Sequence, residues 1–228
     1  MDITFFAHAC FRLASSELTV VTDPYTPGPA VSCFDPVNEP ADLVVMSSDD
    51  DPFHSDPSHI AGGPRIVNAL ALPREGETVA GVHITPYQVT ERARTRTDGS
   101  VKTPGPCAMY SFSIDGIRVL HMGDLGTPLP EEYLARLEGG VDLLFALAGD
   151  IATIALDDLM AIIDRIRPKA VIPMHYHHPR GVLDILPVTH FLERFPPEQV
   201  TSVGSSELTL TPDTLPAATH VYVLEQCR

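Results

Sequence analysis

The chain has 228 residues, 44% of them hydrophobic and 20% charged, with a formal net charge of -15. A chain of this size can bury one substantial core, and it contains no apolar stretch long enough to span a bilayer. The acidic excess opposes a nucleic-acid partner, because phosphate neutralisation needs clustered Lys and Arg.

Four widely spaced cysteines, Cys10, Cys33, Cys107 and Cys227, form no Cys-x-x-Cys pair. The opening Met1-Asp2-Ile3-Thr4-Phe5-Phe6 lacks the basic region and long apolar core of a signal peptide. Together these features give the expectation of a cytoplasmic protein with reduced thiols.

In chain order, the first quarter reads as short strands at residues 2–6, 10–13 and 18–22, separated by turn-prone segments. Residues 23–40 are too rich in Pro and Gly for regular structure. Strand-like runs return at 43–46, 65–67, 78–84, 108–114 and 117–121, with Asp115-Gly116 a strong hairpin turn between the last two. Residues 130–137 read as a helix, with Pro and two Glu in its first turn and Gly139-Gly140 beyond its end.

A buried run follows at 143–147. Residues 156–167 then place Leu156, Leu159, Met160, Ile163 and Ile166 on one helical face, and Pro168 stops them. A strand at 169–174, a helix near 188–195 and strands at 207–211 and 220–224 complete the pattern. Strands first and mixed elements later predict layers of helix and sheet around one core, in a single domain over 1–228.

Three of the short apolar runs end in residues able to hold a metal. Val44-Val45-Met46 runs into Ser47-Ser48-Asp49-Asp50-Asp51-Pro52-Phe53-His54, Val119-Leu120 into His121-Met122-Gly123-Asp124, and Val171-Ile172-Pro173-Met174 into His175-Tyr176-His177-His178. Strand ends can bring such groups to one sheet edge. His54, Asp124 and His175 are the leading ligands, since two His and a carboxylate with one open position is an accepted catalytic zinc set. A lone His after a strand is more often structural, and Gly-Asp can simply cap a turn. Three coincidences shift the balance toward a metal.

These segments resemble the metallo-β-lactamase superfamily, in particular its lactonase-like branch of small metal-dependent hydrolases. Leu120-His121-Met122-Gly123-Asp124-Leu125-Gly126 is similar to that branch's His-x-Gly-Asp-x-Gly strand end, and Ile172-Pro173-Met174-His175-Tyr176 to its Pro-Met-His-Tyr segment. Thr4-Phe5-Phe6-Ala7-His8-Ala9-Cys10 and Thr22-Asp23-Pro24 resemble its opening and its Asp-Pro turn more weakly. The fold the resemblance implies is α/β, a four-layer αββα sandwich with a metal site at one edge of the paired sheets.

The family's His-x-His-x-Asp-His motif is altered. Aligned without gaps, His54 keeps the last His, Asp49 and Asp51 replace the first two, and the motif's Asp falls on Phe53. A further family His falls near Glu91. One metal position thus loses all three imidazoles. The other keeps His54, Asp124 and His175 and lacks the motif's own carboxylate, which Asp51 or Asp49 could supply. The expectation is either a mononuclear site or a binuclear one with oxygen ligands from Asp49, Asp51 and Glu91. The divalent ion is zinc, or manganese or magnesium on account of the added oxygen donors.

His8, His121, His177 and Arg94 are read as substrate contacts or as residues orienting the ligands, with His178 also at the pocket rim. The cluster Arg92, Arg94 and Arg96 is the first place to look for an anion contact, against the duller alternative of a solvated loop.

The implied function is a hydrolase of a small ester, lactone or phosphorylated metabolite through a metal-activated water. In it Asp124 is ligand and water orienter, and Asp49 or Glu91 the general base. A small-molecule substrate is expected, with neither nucleic acid nor membrane as partner, and the oligomeric state, monomer or homo-oligomer, stays open. A catalytically inactive metal- or ligand-binding scaffold is the competing reading, supported by the altered motif. A nuclease is disfavoured by the charge.

Overall fold

Short β-rich runs dominate the computed structural model, which describes residues 1–95 and 101–228, without the side chains of residues 94, 95, 101 and 102. The elements are β1 (Asp2–Ala7), β2 (Cys10–Ala14), β3 (Thr19–Thr22), β4 (Leu43–Met46), β5 (Arg65–Asn68), β6 (Glu77–Val79), β7 (Val82–Thr90), β8 (Arg94–Thr95), β9 (Val101–Lys102), β10 (Pro106–Ile114) and β11 (Ile117–His121). They continue with α1 (Glu131–Leu137), β12 (Leu143–Leu147), α2 (Leu156–Ile166), β13 (Ala170–Met174), α3 (Thr189–Leu192), β14 (Val200–Ser202), β15 (Glu207–Thr209) and β16 (His220–Val223).

Two sheets result. One has six strands in the order β15-β1-β2-β3-β4-β5, and the other eight in the order β14-β16-β13-β12-β11-β10-β7-β6. The metallo-β-lactamase-like α/β sandwich implied by the resemblance is the fold observed.

Alternation along the first sheet divides its side chains between two cores. Ile3, Phe5, Phe11, Leu13, Val20, Leu43 and Val45 join the large central core. Their neighbours Phe6, Cys10, Val21, Val44 and Met46 point the other way and pack with Tyr25, Phe34, Val37, Ala41 and Ile60. That outer face is covered by the Pro-rich segment after β3, and none of the α-helices among the described residues contributes to it. Between the sheets, Phe11 stacks on Phe5 at 4.4 Å and meets Phe145 of β12 at 4.2 Å, so one aromatic column joins the two layers.

In the second sheet, β11, β12, β13 and β16 run parallel, and β12 and β13 are buried at every position. Such unbroken burial is expected of parallel strands covered on both faces, and α1 and α2 supply buried residues to the same core. Pro173 sits in β13 although it cannot donate to a ladder. The pairing with β16 covers only Ala170 and Val171, so the strand has an unpaired side at Pro173.

Several expectations change. The run at 78–84 is a hairpin, β6 and β7, turning at Ala80-Gly81 with φ of 51° and 82°. The helix near 188–195 contracts to the four residues of α3. Ile162 replaces Met160 among the buried residues of α2. Asp115-Gly116 turns as expected, with φ of 50° and 75°. No helix among the described residues is long and apolar enough to cross a membrane.

Candidate metal centre

The ends of β1, β3, β4, β7, β11 and β13 carry His8, Asp23, the Ser47–His54 loop, Glu91, Asp124 and His175. All five residues and the loop's Asp51 and His54 are buried. The chain reverses sharply to deliver them: His8, Asp23 and His175 take left-handed φ of 59°, 37° and 53°. Non-glycine residues adopt that region rarely, and such strain concentrates at functional sites. Glycines admit the close passages beside them. A Cβ on Gly149 would lie 2.2 Å from the His175 carbonyl oxygen, and one on Gly123 (φ 56°) would lie 2.4 Å from that of Ala108.

Two compact groups of ligand atoms form at this edge. His8, His54 and His175 each offer a ring nitrogen, and these lie within 4.8 Å of one another. Asp51, Glu91 and Asp124 each offer a carboxylate oxygen, also mutually within 4.8 Å. The groups adjoin, for His175 Nε2 stands 3.6 Å from Asp124 Oδ1.

His54 is held from behind. Its Nδ1 donates to Asp23 Oδ2 at 2.8 Å, and the same carboxylate accepts from Ser47 N (2.8 Å), Ser47 Oγ (2.8 Å) and the Tyr110 hydroxyl (3.0 Å). The ring is 1% exposed and its Nε2 has no hydrogen-bond partner. A buried polar atom in that state is costly unless something completes it, and a carboxylate–histidine pair is the usual support of a metal ligand. The donor set therefore fits a divalent cation. Burial alone would lower the His54 pKa. The Asp23 hydrogen bond and the charges of Asp124, Asp23 and Asp51 outweigh it and raise the pKa to about 9, a measure of how negative this pocket is.

The other candidates fall in distinct places. Asp51 groups with Glu91 and Asp124 rather than with the histidines. Asp49, two residues away, is exposed and absent from both groups, because the loop turns only one of the two acids inward. His8, expected to orient ligands or touch substrate, belongs to the imidazole group itself, with its ring centre 4.0 Å from that of His175.

His121 is fully buried and cannot touch a substrate. Gly123 N donates to its Nδ1 (3.1 Å), so Nε2 carries the proton given to the Ala9 carbonyl (2.9 Å). Burial lowers its pKa, and the ring, stacked on Tyr110 at 4.9 Å, is a neutral structural group. Among the basic cluster, Arg92 is engaged by the Asp150 carboxylate (3.2 Å) and the Thr153 carbonyl (3.0 Å). The side chain of Arg94 and all of Arg96 lie outside the described residues. Burial raises the thiol pKa of Cys10 and of Cys107, leaving both as core residues.

A small, solvent-open cleft lies beside His8. Phe34, Phe53, Tyr176, Leu183 and Ile185 line it together with His178; of the two histidines expected at the rim, His177 is not among its lining residues. His177 is exposed, its amide donating to the Leu186 carbonyl. Asp23 was legible only as a turn residue. The available signal was an Asp before Pro at the end of an apolar strand adjacent to the one leading to His54.

Relatives share this architecture. A crystal structure from Thermotoga maritima, described as a candidate zinc-dependent hydrolase of the metallo-β-lactamase superfamily, aligns with a TM-score of 0.73 and 30% identity over 98% of each chain. Proteins named as metal-dependent hydrolases from Pelotomaculum thermopropionicum and Thermococcus onnurineus are 28% and 25% identical, each match covering 78% of this chain and 85% of the relative. The family described as beta-lactamase superfamily domain matches residues 2–175. The chain therefore belongs to that family, within the metallo-β-lactamase superfamily.

Proposed function

We propose that this protein is a metal-dependent hydrolase of a small ester or lactone. One observation carries the reading: six buried ligand residues stand in two adjoining groups at a sheet edge, beside a cleft with an apolar lining. His8, His54, His175, Asp51, Glu91 and Asp124 would hold the metal. When bound, a divalent ion supplies Lewis acidity toward the scissile oxygen and a hydroxide source near neutral pH.

The protein's own groups do the rest. Asp23 keeps the His54 ring in one tautomer and one orientation. Asp124, at the junction of the two groups, would hold the attacking water and accept its proton. Phe34, Phe53 and Ile185 exclude bulk water and pack on an apolar substituent. No Arg or Lys among the described residues lines the cleft, which favours an uncharged ester or lactone over a phosphorylated metabolite.

The test is a substrate panel of short-chain esters, lactones and phosphate monoesters, run with metal analysis of the same preparation. Turnover should appear on the carbonyl substrates and fall by about 100-fold or more in His54→Ala and Asp124→Ala. A metal-loaded protein inert on the whole panel would indicate the scaffold instead, and selective turnover of phosphate esters would refute the substrate class.

A further inference from the structure

Residues 224–228, which follow β16, lie against the end of β1. Cys227 N (2.9 Å) and Arg228 N (3.1 Å) donate to the Phe6 carbonyl, and Glu225 N donates to that of Ser205 (3.0 Å). The Arg228 guanidinium lies 5.1 Å over the Phe6 ring and pairs with Glu39. Between these anchors, Gln226 Oε1 accepts the backbone N–H of His8 at 3.0 Å.

Backbone geometry gives that bond its importance. His8 is the first central residue of the two-residue turn joining β1 to β2, in which Ala7 pairs with Cys10. Such turns demand positive φ there and ordinarily use Gly or Asn. His8 supplies φ of 59° with a full side chain. A residue held in this region persists only where its surroundings over-determine it. Here Gln226 holds the N–H, and His175 N donates to the His8 carbonyl at 2.7 Å. The side chain so placed brings a ring nitrogen within 4.8 Å of the ligand nitrogens of His54 and His175.

We propose that Gln226 is a positioning residue of the metal centre: by holding the His8 backbone in its left-handed turn, it sets the aim of the His8 imidazole. The inference rests on the metal-dependent reading above and adds to it a residue 218 positions away in sequence from the ring it places.

The same segment reaches a second ligand. Tyr176, next to His175 and in the wall of the cleft, donates its hydroxyl to the Leu224 carbonyl at 3.2 Å. Residues 224–228 thus brace the backbone at His8 and the side chain that follows His175, whose two rings have centres 4.0 Å apart. Groups behind a metal ligand set its orientation and so tune affinity. A bond to the main chain does this through a lever, because a small change in φ swings the whole imidazole, and such sites fail when loosened by a fraction of an ångström.

The experiment measures metal binding rather than turnover, on the full chain. Zinc affinity is read by competition with a chromophoric chelator, and ligand geometry by the visible absorption of the cobalt-loaded protein. Gln226→Met keeps the length of the side chain and removes the acceptor. It should weaken zinc by about tenfold and change the cobalt spectrum, with circular dichroism confirming the fold. Gln226→Glu keeps an acceptor oxygen at the same reach. It should bind zinc within about threefold of wild type and give the wild-type spectrum. A merely stabilising role would lower the urea midpoint of metal-free Gln226→Met and leave its zinc affinity and cobalt spectrum unchanged. That result would overturn the proposal, as would equal losses in the two variants.

Should Gln226→Met not fold, the wild type decides alone. Coupling between two sites is reciprocal, so zinc should slow hydrogen exchange at the His8 and Cys227 amides by about fivefold or more. Rates indifferent to zinc would overturn the proposal. Zinc binding that ignores Gln226 leaves the metal-dependent reading standing, whereas a wild type that binds neither zinc nor cobalt overturns both.

Discussion

Asp23 Oδ2 accepts the Nδ1–H of His54 at 2.8 Å, and that bond fixes which nitrogen of His54 faces the candidate metal centre. The carboxylate is itself held by Ser47 and Tyr110, so the orientation of one ring is set by residues just beyond β3 and β4 and by one within β10. Replacing Asp23 with Asn keeps the shape and removes the charge. Metal affinity should fall by about 10- to 100-fold in calorimetric titration, with the fold retained. Unchanged affinity would remove Asp23 from the positioning of the site.

Gly149 passes against the backbone at His175, where a Cβ would lie 2.2 Å from the carbonyl oxygen and 3.2 Å from Ile185 Cδ1. Ile185 Cδ1 is a side-chain end and can give, but the His175 carbonyl is backbone and cannot step aside. Gly149→Ala should therefore cost about 2–4 kcal/mol in urea unfolding and reduce metal retention in the same protein. Wild-type stability in this variant would mean that the β13 terminus yields without strain.

Phe53 is half-buried at the cleft and edges the His8 ring. Truncation to Ala removes apolar contact for substrate without emptying the core. KM should rise by about 10-fold on an ester with a longer acyl chain and change little on acetate esters, while kcat is held nearly constant. Equal effects on both substrates would place the acyl group elsewhere.

Asp142 lies far from this chemistry and reports on acid stability. Arg118 Nε (2.8 Å), Nη2 (3.1 Å) and backbone N (3.1 Å) donate to it, and Lys169 Nζ is at 3.0 Å. The Arg118 bonds outweigh the effect of burial and hold its carboxyl well below the ordinary range. A depressed pKa contributes stability above the unfolded value of about 4 and loses it as pH falls further. Asp142→Asn should cost about 2 kcal/mol at pH 7, and the gap from wild type should shrink below about pH 4. A gap independent of pH would show that the charge contributes nothing.

What the sequence disclosed follows physical locality. Short apolar runs bounded by turn residues are self-contained signals, and Leu43–Met46, Ile117–His121 and Leu143–Leu147 form at the expected positions. Asp115-Gly116 is legible because both residues readily adopt the required positive φ. Ala80-Gly81 makes the same reversal with an alanine at 51°, an atypical choice that the sequence conceals.

At the site, His54, Asp124 and His175 were visible as strand-end residues, and the structure brings all three to one edge. His8 was not readable as a member of the imidazole group. Its placement depends on the irregular β1–β2 pairing between Phe5 and Ala7, a tertiary feature rather than a local one. The choice of Asp51 over Asp49 likewise depends on a loop path in which His54 N bonds the Asp51 carbonyl. Both His177 and His178 were read at the rim, and only His178 lies there, its ring 5.5 Å from that of Phe34.

The central claim is that a divalent cation is completed by the unpartnered nitrogen of His54. The most direct measurement is anomalous diffraction from crystals of the full chain, recorded on either side of the zinc absorption edge. The account predicts a peak within bonding distance of His54 Nε2, between the rings of His8 and His175. Ordered side chains with no anomalous peak at that point, in protein prepared with zinc present, would contradict it.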